Sequence, residues 1–207
     1  MTELLQAILG ATVIFAVVIV WAVTASNRRE RSLQQITAEK LLESLVDEQF
    51  TPSEVLVGSL HTNWIKPTLE IRNFDNHNIA TVTYGWPRSI LVEVNGRTYS
   101  VTEITPPFLD SVLQTEGRMI CHSRRKRWSF APSEYDVPGV GKVVVEANWK
   151  SVITSSFRIF MNEQPLGRVF NTGKVLRGNI VLILRGDFAP EIRAYILAME
   201  FRRMNSQ

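Results

Sequence analysis

The spacing of hydrophobic and polar positions changes several times along this chain, and each change marks a different element. From Leu4 to Ala25 no residue is charged, and Gln6 is the one strongly polar interruption. About 20 such residues, at 1.5 Å of helical rise each, span the roughly 30 Å hydrocarbon core of a bilayer. The stretch predicts a transmembrane helix, with Trp21 near its C-terminal end, where an indole sits among headgroups. Arg28, Arg29 and Arg31 follow at once, whereas only Glu3 is charged before the span. Cationic flanks stay in the cytosol, so the remaining chain is expected on the cytoplasmic side of a single-pass membrane protein. A cleaved signal peptide is the alternative, because Val23-Thr24-Ala25 has the small-residue spacing of a cleavage site. The missing basic n-region, the long apolar run and the arginines just downstream favour a retained anchor over residues 1–26.

Between residues 27 and 51 the rhythm becomes helical. Leu33, Ile36, Leu41, Leu42, Leu45 and Val46 recur at three- and four-residue spacings among charged neighbours. This linker is expected to be a helical tether that continues the span, docks onto the domain or self-associates. Thr51-Pro52-Ser53 ends it, because proline cannot extend the helical ladder.

Beyond Pro52 the period drops to two. Ile90, Val92 and Val94 alternate with Leu91 and Glu93, Asn95-Gly96 offers a tight hairpin turn, and Thr98–Val101 returns. Thr68–Arg72 and Ile79–Tyr84 flank a polar turn, and Phe157–Met161 and Leu166–Phe170 form a second such pair. Further strands fit Glu54–Leu60, Phe108–Gln114, Met119–His122, Lys142–Ala147 and Asn179–Leu184. So many short strands predict a sandwich or a barrel. The last segment breaks the pattern: Pro190 opens a helix, and Ala194–Phe201 is apolar on nearly every side. A helix over 189–204 is too short to cross a bilayer and must be surrounded by protein.

Composition adds little to this outline. The 207 residues are 45% hydrophobic and 21% charged with a formal charge of +3, a balance too mild to indicate nucleic acid. The single cysteine, Cys121, precludes an intrachain disulfide. No Asn-x-Ser/Thr glycosylation acceptor occurs.

Two phrases carry a family resemblance. Thr68-Leu-Glu-Ile-Arg-Asn-Phe-Asp-Asn-His-Asn-Ile-Ala-Thr-Val82 and Ser156-Phe-Arg-Ile-Phe-Met-Asn-Glu-Gln-Pro-Leu-Gly-Arg-Val169 share a strand, a polar turn and a strand ending in a branched residue. The closing Asp187-Phe-Ala-Pro-Glu-Ile-Arg-Ala-Tyr-Ile-Leu-Ala-Met-Glu-Phe201 is similar to a C-terminal core helix. Residues 52–207 thereby resemble the tubby-like superfamily, in its LURP-one-related and phospholipid-scramblase-like branch. That resemblance implies a mainly β fold: a closed antiparallel β-barrel of about 12 strands around a buried hydrophobic C-terminal helix, preceded here by the N-terminal transmembrane helix. It also implies lipid. Tubby proteins bind phosphoinositide headgroups through clustered Lys and Arg, and scramblase relatives carry an acidic calcium loop before the last helix. Here Lys174–Gly186 contains no aspartate cluster, and the membrane span lies at the N-terminus.

The sharpest charge feature is Arg124-Arg125-Lys126-Arg127, followed by Trp128. Read as one loop, it is either a solvated connection or a lipid-binding patch, with the indole at the interface and Arg28, Arg29 and Arg31 adding attraction of about 1 kcal/mol each. Enzymatic motifs are thin. His61, His77 and His122 show no metal-ligand spacing, and Cys121 and His122, as strand neighbours, face opposite ways. Cys121 is expected to be buried and structural. Pro138-Gly-Val-Gly141 reads as a turn before a strand rather than a phosphate loop. The expected function is a membrane-anchored, non-enzymatic module that binds anionic lipid headgroups or a protein partner, with no cofactor, metal or nucleic acid. The alternative is a scramblase-like part in transbilayer lipid movement.

Overall fold

The computed structural model describes residues 51–61, 66–85, 89–104, 110–126, 131–146, 156–171 and 179–205. The chain divides into two compact units, Met1–Asp47 and Glu48–Gln207. The expected transmembrane span, Arg28, Arg29, Arg31 and the linker up to residue 50 lie outside the described residues. Among the described residues no helix is long and apolar enough to cross a membrane.

The second unit is a closed antiparallel barrel of twelve strands with one C-terminal helix. A 3-10 turn at Pro52–Glu54 leads into β1 (Val55–His61), β2 (Thr68–Asn73), β3 (Asn78–Gly85), β4 (Ser89–Val94), β5 (Arg97–Ile104) and β6 (Asp110–Thr115). The wall continues through β7 (Arg118–Arg125), β8 (Ser133–Val137), β9 (Gly141–Glu146), β10 (Ser156–Met161), β11 (Gln164–Asn171) and β12 (Ile180–Leu184), before helix α1 (Pro190–Asn205). Every strand pairs with its neighbours in sequence, and β12 closes on β1 through Val55↔Ile183 to Gly58↔Ile180. Closure leaves no strand edge open to another chain.

Each expected strand is present, with its ends within three residues of those expected. The pleat explains the pattern in β4, where Ile90, Val92 and Val94 are buried and the residues between them exposed. Asn95 and Gly96 take φ of 50° and 76°, the positive pair that a two-residue hairpin needs to match strand twist. One strand was missed by the hydrophobic pattern: β8, Ser133-Glu-Tyr-Asp-Val137. It alternates correctly, but its first inward residue is a serine and prolines flank it, so it reads as polar turn rather than strand. Pro138–Val140 then turns the chain into β9, with Val140 N–H donating to the Val137 carbonyl at 3.1 Å.

The helix lies within a residue of its expected ends and is surrounded, as its all-round apolar surface requires. Ile192, Ala194, Tyr195, Ile196, Leu197, Ala198, Phe201 and Met204 are all buried in the core. Side chains reach it from around the wall. Gly58 on β1 leaves room for Leu197, and the Tyr84 hydroxyl of β3 donates to the Ala198 carbonyl at 3.3 Å. Tyr195 meets β6 and β7, and Tyr135 of β8 stands edge-on to it at 5.9 Å. At the helix start, Arg193 donates to the carbonyls of Ser53, Gly186 and Phe188, tying the entry of β1 to the β12–α1 connection.

Candidate functional site

Because consecutive strands alternate in direction, the odd-numbered strands all end at one rim and the tight hairpins lie at the other. The helix runs from the hairpin rim, where Arg193 meets Ser53, to the opposite rim, where Arg203 meets Ala131 and Ser133. The cationic run of the sequence stands at that second rim.

Its geometry corrects the expectation of a single four-cation loop. Arg124 and Arg125 are the last two residues of β7, and Lys126 makes an isolated bridge just beyond it. A strand sends successive side chains to opposite faces. Cys121 and Ser123 point into the barrel, while His122 and Arg124 point out. Arg124 is 61% exposed and places Nε 3.5 Å from Asp110 Oδ2, with His122 Nε2 at 3.7 Å from the same oxygen. So exposed a pair contributes at most about 1 kcal/mol. Lys126 is exposed, and Arg127 and Trp128 lie outside the described residues.

Arg125 shares the inward parity of Cys121 and Ser123 and stands half-buried at the barrel mouth, directly across from Ser133 on β8. Ser133 accepts a hydrogen bond from Arg203 Nη1 at 3.1 Å. Arg203, 1% exposed, also donates to Glu200 Oε2 at 3.1 Å and to the Ala131 carbonyl at 2.7 Å, and lies 4.7 Å over the Phe157 ring. The other oxygen of Glu200 accepts from the Tyr135 hydroxyl at 2.7 Å. Burial, followed by the Glu200 charge, pushes the Tyr135 phenol well above its usual pKa. Both carboxylate oxygens are therefore engaged, and Arg125 has no hydrogen-bond or ion-pair partner among the described residues. Burial and then the Arg203 charge lower its pKa, with Glu200 opposing. Deeper in the barrel, the Tyr195 hydroxyl donates to the Ser111 carbonyl at 2.9 Å and sits 2.7 and 3.1 Å from the hydroxyls of Ser111 and Ser123.

This ionic network was not foreseen in the sequence. One signal was present, a Glu200–Arg203 pair at helical spacing within an apolar segment. Its partners Ser133 and Tyr135 sit on the strand that the hydrophobic pattern concealed.

Cys121 faces the core and His122 the outside, so they form no nucleophile–base pair. Burial, then the Asp136 charge, pushes the Cys121 thiol up to about 12. A raised folded-state pKa favours the protonated form. The stabilisation is fully present below the unfolded value of about 8.5 and is lost as pH climbs toward the folded value. Folded protein at about pH 8 is therefore expected to leave Cys121 unlabelled by iodoacetamide while unfolded protein reacts, since the thiolate is the nucleophile; fast labelling of folded protein would refute the burial. His61 lies 3.0 Å from Glu70, and His77 is exposed in the β2–β3 turn. Among the described residues no group of three or more His, Cys, Asp or Glu is placed to hold a metal ion.

No protein-family model, no curated protein and no solved structure matches this chain.

Proposed function

We propose that this chain is a membrane-tethered, non-enzymatic barrel of tubby-like, LURP-one-related kinship whose second rim docks on anionic lipid headgroups at the cytosolic face. The supporting observation is a segregation of charge between the rims. Arg124 and Arg125 end β7 and Lys126 follows them, so three cations of the run stand together at the rim where β7 ends. The hairpin rim turns instead contain Asp75, Glu116, Glu163 and Asp187 against Arg185. Lysine and arginine gathered at one end suit a headgroup layer, where cations meet anionic lipid. Kinship rests on the repeated hairpin phrases, and the twelve-stranded barrel with its core helix supports it.

Residues 48–207 close their own hydrogen-bond ladder and core, so the barrel is testable alone. In vesicle co-sedimentation it is expected to bind phosphatidylserine-containing membranes, ignore phosphatidylcholine and lose binding as salt rises. Serine at Arg124, Lys126 and Arg127 together should weaken binding by at least about tenfold, at about 1 kcal/mol per cation near the surface. Binding that disregards lipid charge would refute the reading, and no binding at all would shift it to a protein partner.

A further inference from the structure

Three asparagines among the described residues hold a positive φ: Asn76, Asn95 and Asn162, at 65°, 50° and 51°. All three are exposed at hairpin turns. They differ in the freedom of two groups, the carboxamide and the next backbone nitrogen, which must meet if an asparagine is to close on its own main chain. At Asn76 both groups are engaged. Its Oδ1 accepts from Arg72 Nη1 at 3.0 Å, and the His77 N–H that follows donates to Asn73 Oδ1 at 2.8 Å. At Asn162 the next residue is Glu163, whose Cβ crowds its nitrogen and whose carboxylate opposes a negative charge there. At Asn95 neither obstacle exists. The next residue is Gly96, exposed, with nothing within 4 Å of the position a Cβ would take. The Gly96 nitrogen lies at the centre of the turn, outside the β4–β5 ladder, which ends at Val94 and Arg97. The Asn95 carboxamide has no hydrogen-bond partner among the described residues.

We infer that Asn95 is a site of spontaneous covalent modification, where the chain converts to aspartate and isoaspartate through a cyclic imide, with water as the co-reactant. The Gly96 nitrogen, having given its proton to hydroxide, attacks Asn95 Cγ. The N–Cγ bond forms, the Cγ–Nδ2 bond breaks, and Nδ2 leaves as ammonia with a proton taken from water. Water then opens the imide at either carbonyl. Opening at Cγ leaves aspartate. Opening at the main-chain carbonyl leaves isoaspartate, whose backbone runs through Cβ and Cγ and is longer by one methylene. No electrons change hands: one amide and one water become one carboxylate and one ammonium. The turn has room to rotate into the closing geometry, because nothing packs on Gly96 and the end of a ladder is the first part to open.

Both products place a new carboxylate on the hairpin rim, but only isoaspartate lengthens the turn. The added methylene spoils the fit of a two-residue connection to the Val94↔Arg97 pair, so the modified hairpin opens more readily from its tip. Asn95 lies on the rim opposite the cations of β7, and the modification is independent of the lipid-docking reading.

Full-length protein in a neutral detergent micelle would be held in mildly alkaline buffer at body temperature for several weeks, then digested with trypsin. Mass spectrometry with electron-transfer fragmentation locates each converted asparagine and tells aspartate from isoaspartate. Peptide Ser89–Arg97 is expected to gain the mass of an amide-to-acid change at least about tenfold faster than Asn76 or Asn162 converts, and to contain both isomers. Hydrogen exchange of the aged protein should quicken at Val94 and Arg97. An aged Asn95→Gly variant, which keeps the positive φ but has no carboxamide, should retain its protection there. Equal rates at the three asparagines, or an unchanged Ser89–Arg97 peptide, would overturn the inference. Aspartate without isoaspartate would overturn the imide, since direct hydrolysis gives that product alone. Undiminished protection in isoaspartate-containing protein would overturn the loosening of the hairpin.

Discussion

Glu200→Ala is expected to destabilise the barrel by about 3–5 kcal/mol, the cost of stranding a buried cation whose counter-charge has been removed. Arg203 is 1% exposed and sits over Phe157 with its guanidinium 3.1 Å from the Glu200 carboxylate. Water cannot reach it to replace the lost oxygen, and the Tyr135 hydroxyl loses its acceptor in the same step. Against a typical domain stability of 5–15 kcal/mol, that loss leaves the fold marginal or absent. Urea unfolding of residues 48–207 measures it. The informative companion is the double variant Glu200→Leu with Arg203→Met, which removes both charges and keeps apolar volume in the core. It should recover most of the lost stability, because apolar replacement of a buried ion pair is often neutral or better. A Glu200→Ala protein within about 1 kcal/mol of the parent would show that Arg203 stays satisfied without the Glu200 carboxylate.

The second large effect is expected at Gly167. In β11 it stands opposite Leu184 of β12, and an added Cβ would be forced into the Ile183 carbonyl oxygen, with the carbonyl carbon at 2.8 Å. The obstacle is backbone, and that backbone cannot retreat, because β12 is held on its other side by β1, where the barrel closes. Gly167→Ala is therefore expected to cost at least about 3 kcal/mol, the upper range for overpacking. For a domain of this size that is a fall of roughly 6–12 °C in melting temperature. A calorimetric scan showing a shift of only a degree or so would mean that β11 and β12 can separate locally, contrary to the close approach described.

How much of this was legible depends on the kind of signal each element carries. The β4–β5 hairpin was read because its inward Ile90, Val92 and Val94 and its Asn95-Gly96 turn are local facts. The last helix was read because a segment apolar on all sides has one way to satisfy itself, which is to be surrounded. The opposite facing of Cys121 and His122 followed from the pleat alone. β8 escaped because its burial is not written in its composition: Ser133 is buried to meet Arg203 and Tyr135 to meet Glu200, partners about 65 to 70 residues later in the chain. The four cations at 124–127 read as one charged block because a sequence has no inside or outside until a strand assigns one.

What the sequence determined by itself was the order of elements in the barrel unit: a long series of two-fold alternations and a terminal apolar helix. Periodicity is a local property, fixed by the pitch of each backbone, and it survives without knowledge of the fold. What only the tertiary structure decided was which residues meet. Antiparallel alternation brought the ends of all odd-numbered strands to one rim. It turned Arg124 outward and Arg125 inward, and it set Arg125 beside an arginine from the far end of the chain. Such meetings depend on strand register and barrel closure, which join residues distant in sequence, and no local pattern encodes them.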